Sequence, residues 1–151
     1  MNPRLDPWKA APGAYQGMAA LQAQVNACGL EPSLMELVKL RASQINGCAF
    51  CIAMHTRDAR AKGETDERMH LLGAWEESPI FTERERAALA FTEALTLITQ
   101  GHVPDAVYAQ ARAQFSEGEL SNLALAIVAI NGWNRMSIAF RRLPDTDAPR
   151  L

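Results

Sequence analysis

The sequence has few cysteines and no strong excess of either charge. Its 151 residues include three cysteines, an odd number that does not fit a structural disulfide framework in a chain without a secretion signal. The 15 basic and 17 acidic residues leave a formal net charge of -2, which provides no strong field for a nucleic acid or an anionic membrane surface. We therefore predict neither a nucleic-acid partner nor a membrane partner.

Long hydrophobic runs are also missing. The amino terminus has no apolar stretch able to serve as a signal-peptide core, and the longest apolar run, Leu123 to Ile130, is too short to cross a bilayer. We expect a soluble cytoplasmic protein whose thiols stay reduced unless they react. The length suits one domain, which we predict over residues 1–151 with its core at about residues 13–142. No repeat, low-complexity tract or long linker interrupts it.

Helical periodicity and capping signals occur along most of the chain, whereas the alternation typical of strands is almost absent. The sequence therefore predicts an all-α fold. Two of the helices begin with capping-box spacing, at Thr82 with Glu85 and at Ser116 with Glu119. The first dozen residues and residues 143–149 lack helical periodicity and are expected to fray. The predicted helices cover about residues 13–28, 32–46, 48–62, 65–75, 83–100, 105–114 and 117–141.

Two thiols and an imidazole lie at helical spacing in one short segment. Cys48 and Cys51 are three residues apart, and His55 follows four residues after Cys51. Residues three, four and seven positions apart share one face of a helix, so the three side chains form a column. The Asn-Gly pair before Cys48 predicts a helix end, which puts both thiols in the first turn of the next helix. The pattern indicates a redox dithiol with a base beside it.

Cysteine attacks as a thiolate, so a reactive site must stabilise the anion relative to an ordinary pKa of roughly 8.5. The free N–H groups and the positive dipole of a first helical turn favour a negative sulfur at Cys48 or Cys51. Helical side chains lean toward the helix amino terminus, so His55 can tilt back over Cys51 and accept its proton. The dipole argument favours Cys48 as the low-pKa thiol, whereas the base favours Cys51. We favour Cys51, because the base lies one turn away from it.

Glu36 is the candidate group that orients the imidazole. If the helices before and after the Asn-Gly pair are antiparallel, Glu36 comes within a water-bridged distance of His55. A metal site is the alternative, but tetrahedral zinc needs four ligands, and two sulfurs with His55 leave the fourth undefined. Haem attachment would need a histidine where Ile52 stands. We predict no metal and no cofactor, and we give no role to Cys28, for which a buried inert place is expected.

The pattern Glu36-x11-Cys48-x2-Cys51-x3-His55 resembles the AhpD-like alkylhydroperoxidases, within the wider carboxymuconolactone decarboxylase family. The resemblance extends over about residues 15–141, as one copy of the family's helical unit. It implies an all-α AhpD-like domain that forms a homo-oligomer, either a trimer or a hexamer. It also implies a thiol peroxidase that acts in antioxidant defence on organic hydroperoxides. The further matching segments are residues 54–60, 63–65, 81–89 and 130–135.

In the mechanism that this resemblance implies, Cys51 is the peroxidatic residue, Cys48 resolves its sulfenic acid as a disulfide, and His55 and Glu36 relay protons. An external dithiol, of lipoyl type or thioredoxin-like, restores both thiols. The best-known peroxidases of the family have a histidine just before the second cysteine, where this chain has Phe50. Phe50 cannot transfer protons. Either it makes the site drier and more selective for apolar hydroperoxides, or it marks a branch that exchanges disulfides.

Three functions therefore stay open. The first is reduction of organic hydroperoxides, the second is protein dithiol-disulfide exchange with little peroxide activity, and the third is a non-enzymatic oligomer whose cluster binds a metal or merely packs. The decarboxylase branch fits less well, because it does not use a Cys-x-x-Cys pair. Trp133, Asn134 and Arg135 match a family segment, but their spacing indicates packing and capping, so we assign them no chemistry.

Overall fold

The computed structural model describes residues 2–144, which contain helices and no strand. The predicted all-α fold is confirmed. The helices predicted over residues 32–46 and 105–114 begin and end at those residues in the structure. The structure also contains short 3₁₀ segments at Leu72–Glu77 and Ile98–Gln100. None of the helices in this part of the chain is both long and apolar enough to span a bilayer. The α-helices are α1 (Pro7–Ala10), α2 (Pro12–Asn26), α3 (Pro32–Asn46), α4 (Ala49–Ala61), α5 (Asp66–Leu71), α6 (Glu83–Thr96), α7 (Asp105–Gln114) and α8 (Glu117–Ala139).

Capping boxes begin the two helices for which they were predicted. Thr82 accepts a hydrogen bond from the Glu85 N–H, and the Glu85 carboxylate accepts one from the Thr82 N–H. Ser116 and Glu119 exchange the same two bonds at the start of α8. Each box satisfies two N–H groups that the first helical turn leaves without partners. Local side chains therefore determine where α6 and α8 begin.

Two predicted helices end earlier than expected. The helix expected to reach Trp75 changes at Leu72 into a 3₁₀ segment, in which Ala74 leaves the helical backbone angles. The helix expected to reach Gln100 ends at Thr96, before the second 3₁₀ segment. Such tightened turns are common at helix ends, because bonds to the third residue satisfy carbonyl groups that the α-helix leaves free.

The amino-terminal segment is more ordered than the sequence predicted. Residues Pro7–Ala10 form α1, whose cap Asp6 accepts hydrogen bonds from the N–H groups of Trp8 and Lys9. The Trp8 ring packs against Tyr15 and Trp133, at centroid distances of 5.3 and 5.8 Å. This aromatic cluster fixes the segment against α2 and α8. Of the carboxyl-terminal residues expected to fray, 145–149 lie outside the described part of the chain.

Helix α3 lies at the centre of the fold and packs against α4, α6 and α8. Its Val38 belongs to a large apolar cluster shared with α2, α6, α7 and α8. Its Leu37 and Leu40 belong to a second cluster, shared with α4, α5 and α6. Burial of each such side chain contributes roughly 1.5–3 kcal/mol. A third, small cluster joins the two thiols of the Cys-x-x-Cys segment to Phe50 and Met54. The core therefore holds the start of α4 against α3 and α8.

Candidate active site

The two thiols of the Cys-x-x-Cys segment lie together at the start of α4. The helix was predicted to begin at Cys48, but its first residue is Ala49 and Cys48 is the N-cap. The Cys48 sulfur accepts a hydrogen bond from the Cys51 N–H. The Cys48 and Cys51 sulfurs are 2.6 Å apart, and both residues are free thiols with 1% of their surface exposed. The pair is therefore close enough to form a disulfide without a large backbone movement.

The hydrogen bond between the two thiols shifts their pKa values in opposite directions. A hydrogen bond from the Cys48 thiol lowers the pKa of Cys51; burial opposes this shift, whereas bonds from Asn134 and Ser137 and the charge of His55 reinforce it. The same bond to Cys51 raises the pKa of Cys48, and burial raises it further. Cys51 is thus the more acidic of the two thiols, and Cys48 is its hydrogen-bond donor.

His55 and Glu36 are in direct contact. The His55 Nδ1 atom lies 2.9 Å from a Glu36 carboxylate oxygen, and both side chains are buried. The sequence predicted a water-bridged distance; the observed distance is shorter because only Gly47 and Cys48 separate α3 from α4, so the two helices pack closely. An ionised carboxylate can only accept hydrogen bonds, so the Nδ1 atom carries the hydrogen of this bond.

Glu36 is held as an anion by three cationic or hydrogen-bonding neighbours. Burial alone would raise the pKa of Glu36, but the bonds from His55 and Lys62 and the charge of Lys39 outweigh it and lower the pKa to about 2. Lys39 Nζ lies 3.2 Å from the same carboxylate oxygen that Lys62 contacts. Glu36, His55 and Asp58 present potential metal ligands within 4.8 Å of one another. Because two ammonium groups already neutralise Glu36, we interpret this group as an ion-pair network.

Helix α8 contributes residues that the sequence analysis left out. The Ser137 hydroxyl lies 3.8 Å from the Cys51 sulfur. Asn134, to which we assigned no chemistry, is fully buried and donates to the Ser43 hydroxyl at 3.0 Å, in addition to its bond to the Cys51 sulfur. The available signal was polar spacing, since Asn131, Asn134 and Ser137 recur every third residue in the carboxyl-terminal half of α8. That spacing puts polar side chains on one buried face.

A cavity of about 410 Å³ reaches these groups from the surface. Cys51, His55, Glu36 and Ser137 line it, together with apolar side chains of α2, α4 and α8. The Phe50 ring also lines it, and the Arg142 guanidinium lies over that ring, 3.8 Å from its centroid. The four residues that the sequence singled out, Glu36, Cys48, Cys51 and His55, thus occupy one buried region with a route to solvent. Cys28, for which a buried place was expected, is only half-buried and packs against the edge of the large apolar cluster.

Comparisons with known proteins concern the family and the fold of this chain. Residues 12–94 match the model of the carboxymuconolactone decarboxylase family. The uncharacterized protein YdfG of Bacillus subtilis is 41% identical over 139 residues, which are 92% of this chain and 95% of that protein. A crystal structure from Agrobacterium tumefaciens, of a protein of unknown function described as a candidate antioxidant defence protein AhpD, is 40% identical with a TM-score of 0.94; the match covers 97% of this chain and 100% of that one. The debrominase Bmp8 shares the fold at 18% identity and a TM-score of 0.79, over 91% of this chain and 74% of its own.

Proposed function

Because this chain belongs to the carboxymuconolactone decarboxylase family and has an AhpD-like fold, we propose that it is a thiol peroxidase that reduces organic hydroperoxides in antioxidant defence. The observation that carries the proposal is the buried pair of sulfurs 2.6 Å apart, in which the pKa of Cys51 is lowered by the hydrogen bond from Cys48. A low-pKa thiol beside a second thiol is the arrangement that peroxide-reducing dithiols need.

In the first step, His55 Nε2 accepts the Cys51 proton, and the thiolate attacks the terminal oxygen of the hydroperoxide. The O–O bond breaks, its electron pair leaves on the alkoxide, and the protonated His55 returns a proton to give the alcohol. The sulfur is oxidised by two electrons to a sulfenic acid while the peroxide is reduced. Glu36 holds the imidazole in the orientation that this transfer requires and stabilises its positive charge.

In the second step, the Cys48 sulfur attacks the Cys51 sulfenic acid, a disulfide forms and water leaves. An external dithiol then reduces the disulfide by thiol-disulfide exchange and becomes a disulfide itself. Both sulfurs are buried and Cys51 is reached through a cavity. A slender lipoyl-type arm therefore suits this site better than the flat active-site surface of a thioredoxin-like donor.

We also propose a single domain with its core at about residues 13–142, a cytoplasmic location and assembly as a homotrimer or homohexamer. Val128 and Ile138 support assembly, because these apolar side chains of α8 are 56% and 45% exposed in the single chain. Protein dithiol-disulfide exchange is the second candidate function. Phe50 favours it, because a benzyl ring stands where the best-known peroxidases of the family have a proton-transferring histidine.

Stopped-flow oxidation of the reduced protein with cumene hydroperoxide tests the proposal. We expect rapid loss of two thiols per chain and an intramolecular disulfide. In the Cys48→Ser variant, dimedone should trap a sulfenic acid on Cys51, because no resolving thiol is left. Cys28→Ser serves as the matched control and should behave like the parent protein.

Three results would contradict the proposal. A sulfenic acid found only in the Cys51→Ser variant would reverse the roles of the two cysteines. Slow thiol loss with hydroperoxide, combined with fast exchange with a protein disulfide, would favour the second function. Inert thiols with bound zinc would favour the non-enzymatic alternative. Glu36, His55 and Asp58 are the group of potential ligands at which zinc binding would be examined.

A further inference from the structure

The cavity that reaches Cys51 has apolar walls and more cationic than anionic side chains in its lining. Its apolar lining comes from α2, α4 and α8. The lining also includes two carboxylates and three cationic side chains in addition to the imidazole. A site for a small, uncharged peroxide alone would need no such cations. The apolar lining residues include Val25, Met54, Ala126, Ile130 and Trp133, and the charged ones are Glu36, Asp58, Lys39, Lys62 and Arg142.

Two of the three cations already have a partner inside the protein. Lys39 and Lys62 both contact the same oxygen of the Glu36 carboxylate, whose side chain is only 2% exposed. That anion is therefore neutralised before any ligand binds, and both ammonium groups are held toward it. Neither lysine is left to serve as the main recognition group for a ligand.

Arg142 differs from the two lysines. Its guanidinium lies over the Phe50 ring, and within residues 2–144 no carboxylate lies within ion-pair distance of it. Its backbone N–H donates to the Ser137 carbonyl, which anchors the residue beside the end of α8. A guanidinium stacked on an aromatic ring keeps its planar N–H fork free to bind a carboxylate through two bonds. The ring beneath it belongs to the residue that immediately precedes Cys51.

We propose that the substrate is an amphipathic organic hydroperoxide that carries a carboxylate, and that Arg142 binds this carboxylate. The apolar body of the substrate lies against Phe50 and the aliphatic wall, and the hydroperoxide reaches the Cys51 sulfur. The volume of about 410 Å³ is within the range of pockets that bind small organic molecules. Arg142 also offsets the repulsion between an anionic substrate and the Cys51 thiolate. This inference rests on the proposed peroxidase function and adds the class of its substrate.

The test compares cumene hydroperoxide bearing a ring carboxylate, in its meta and para forms, with the methyl ester of each. Stopped-flow oxidation of the reduced protein should be roughly two- to five-fold faster for the preferred acid than for its ester, the size expected for an exposed ion pair. Arg142→Gln should reduce this ratio to about one. Arg142→Lys should retain part of the ratio, because it keeps the charge but loses the fork. Arg141→Gln removes the same charge one residue away, outside the cavity lining, and should leave the ratio unchanged.

A second measurement keeps the inference separate from the peroxidase proposal. Calorimetry of the carboxylate-bearing cumyl alcohols with the reduced protein should give weaker binding for Arg142→Gln than for Arg141→Gln, by a similar factor. If thiol oxidation fails with every hydroperoxide but this binding difference is found, the peroxidase proposal is wrong and the anion site stands. Equal rates for acid and ester in the parent protein, or a ratio that survives in Arg142→Gln, would overturn the inference.

Discussion

At the scale of single residues, the central question is how a buried sulfur becomes an anion. Burial raises the pKa of a thiol, because the thiolate loses its hydration while the neutral form loses little. At Cys51 this cost is outweighed, first by the hydrogen bond from Cys48 and then by bonds from Asn134 and Ser137. Most of the compensation comes from these neutral hydrogen-bonding groups, and the charge of His55 adds to it.

The lowered pKa of Cys51 predicts a distinct pH profile for its alkylation. Reactivity requires the thiolate, so the alkylation rate should rise as the pH increases through the pKa of Cys51 and reach a plateau above it. We expect a midpoint below the ordinary thiol value of roughly 8.5 for iodoacetamide with the Cys28→Ser protein. Peptide mass spectrometry after timed quenching measures the rate at Cys51 alone. A midpoint at or above the ordinary value would contradict the assignment.

Variants of the hydrogen-bond donors extend this measurement. Cys48→Ala removes the hydrogen bond that lowers the pKa of Cys51 most, so the midpoint should move upward. Ser137→Ala should move it in the same direction by a smaller amount, because its hydroxyl lies 3.8 Å from the sulfur. A larger effect of Ser137→Ala than of Cys48→Ala would mean that α8, rather than the partner thiol, stabilises the anion.

Sequence reasoning found the local part of this site and missed the distant part. Cys48, Cys51 and His55 lie within one helical start, so their spacing alone indicated that they share a face. Glu36 could be predicted as a site residue because a short turn makes α4 run back along α3. Ser137 lies 86 residues from Cys51, and only the packing of α8 onto α4 brings the two together. No local pattern encodes such a contact.

At the scale of elements, the turn between α3 and α4 positions the reactive residues. Gly47 ends α3 with a φ of 67°, in the left-handed region that residues with a Cβ atom disfavour. The turn reverses the chain, so that Cys48 caps α4 and Glu36 of α3 meets His55 of α4. This backbone conformation thus helps to set the distance between the thiol pair and the His55–Glu36 pair.

Gly47→Ala tests the importance of this conformation. A Cβ atom at this position would meet no other atom within 4 Å, so the cost is purely conformational. We expect a loss of about 1 kcal/mol in the free energy of unfolding, measured by denaturant titration. Gly17→Ala is the matched control, because Gly17 lies inside α2 and its Cβ atom would also meet nothing within 4 Å. This control should gain up to about 1 kcal/mol, and an equal loss in both variants would contradict the argument.

The predicted elements were accurate where their signals are local and incomplete where they depend on packing. Thr82 and Ser116 cap α6 and α8 through residues three positions away, so both starts were readable from the sequence. The short helix α1 was missed because its order depends on Trp8 packing against Trp133, a residue distant in the sequence. The kink at Ala74 follows Gly73, but a single glycine also occurs in helices that continue, so this signal alone did not predict the kink.

At the scale of the whole molecule, Glu36 connects the chemistry of the site to the stability of the fold. It lies on the central helix α3 and bonds to His55 and Lys62 of the α4 region as well as to Lys39 of its own helix. A buried carboxylate with these partners is stabilised only while it is ionised. The protein therefore depends on the charge of one side chain both to orient its imidazole and to hold α3 against α4.

Acid unfolding measures this dependence. The pKa of Glu36 is lowered to about 2 in the folded protein, against roughly 4.3 in an unfolded chain. Because the folded value is the lower one, the contribution of Glu36, about 3 kcal/mol, is fully present above the unfolded value and is lost as the pH falls toward 2. Urea titrations between pH 6 and 2.5 should therefore show a steeper loss of stability for the parent protein than for Glu36→Gln.

The two proteins share every other carboxylate whose pKa is lowered, including Glu31, Asp66 and Glu119, so these groups contribute the same pH dependence to both. The difference between the two curves isolates Glu36. This difference should be largest above about pH 5 and should shrink steadily as the pH falls. Protonation removes the negative charge of Glu36 from the parent protein, and the glutamine variant lacks that charge at every pH. Parallel curves would mean that Glu36 is not held as an anion, and the orientation of His55 would then need another cause.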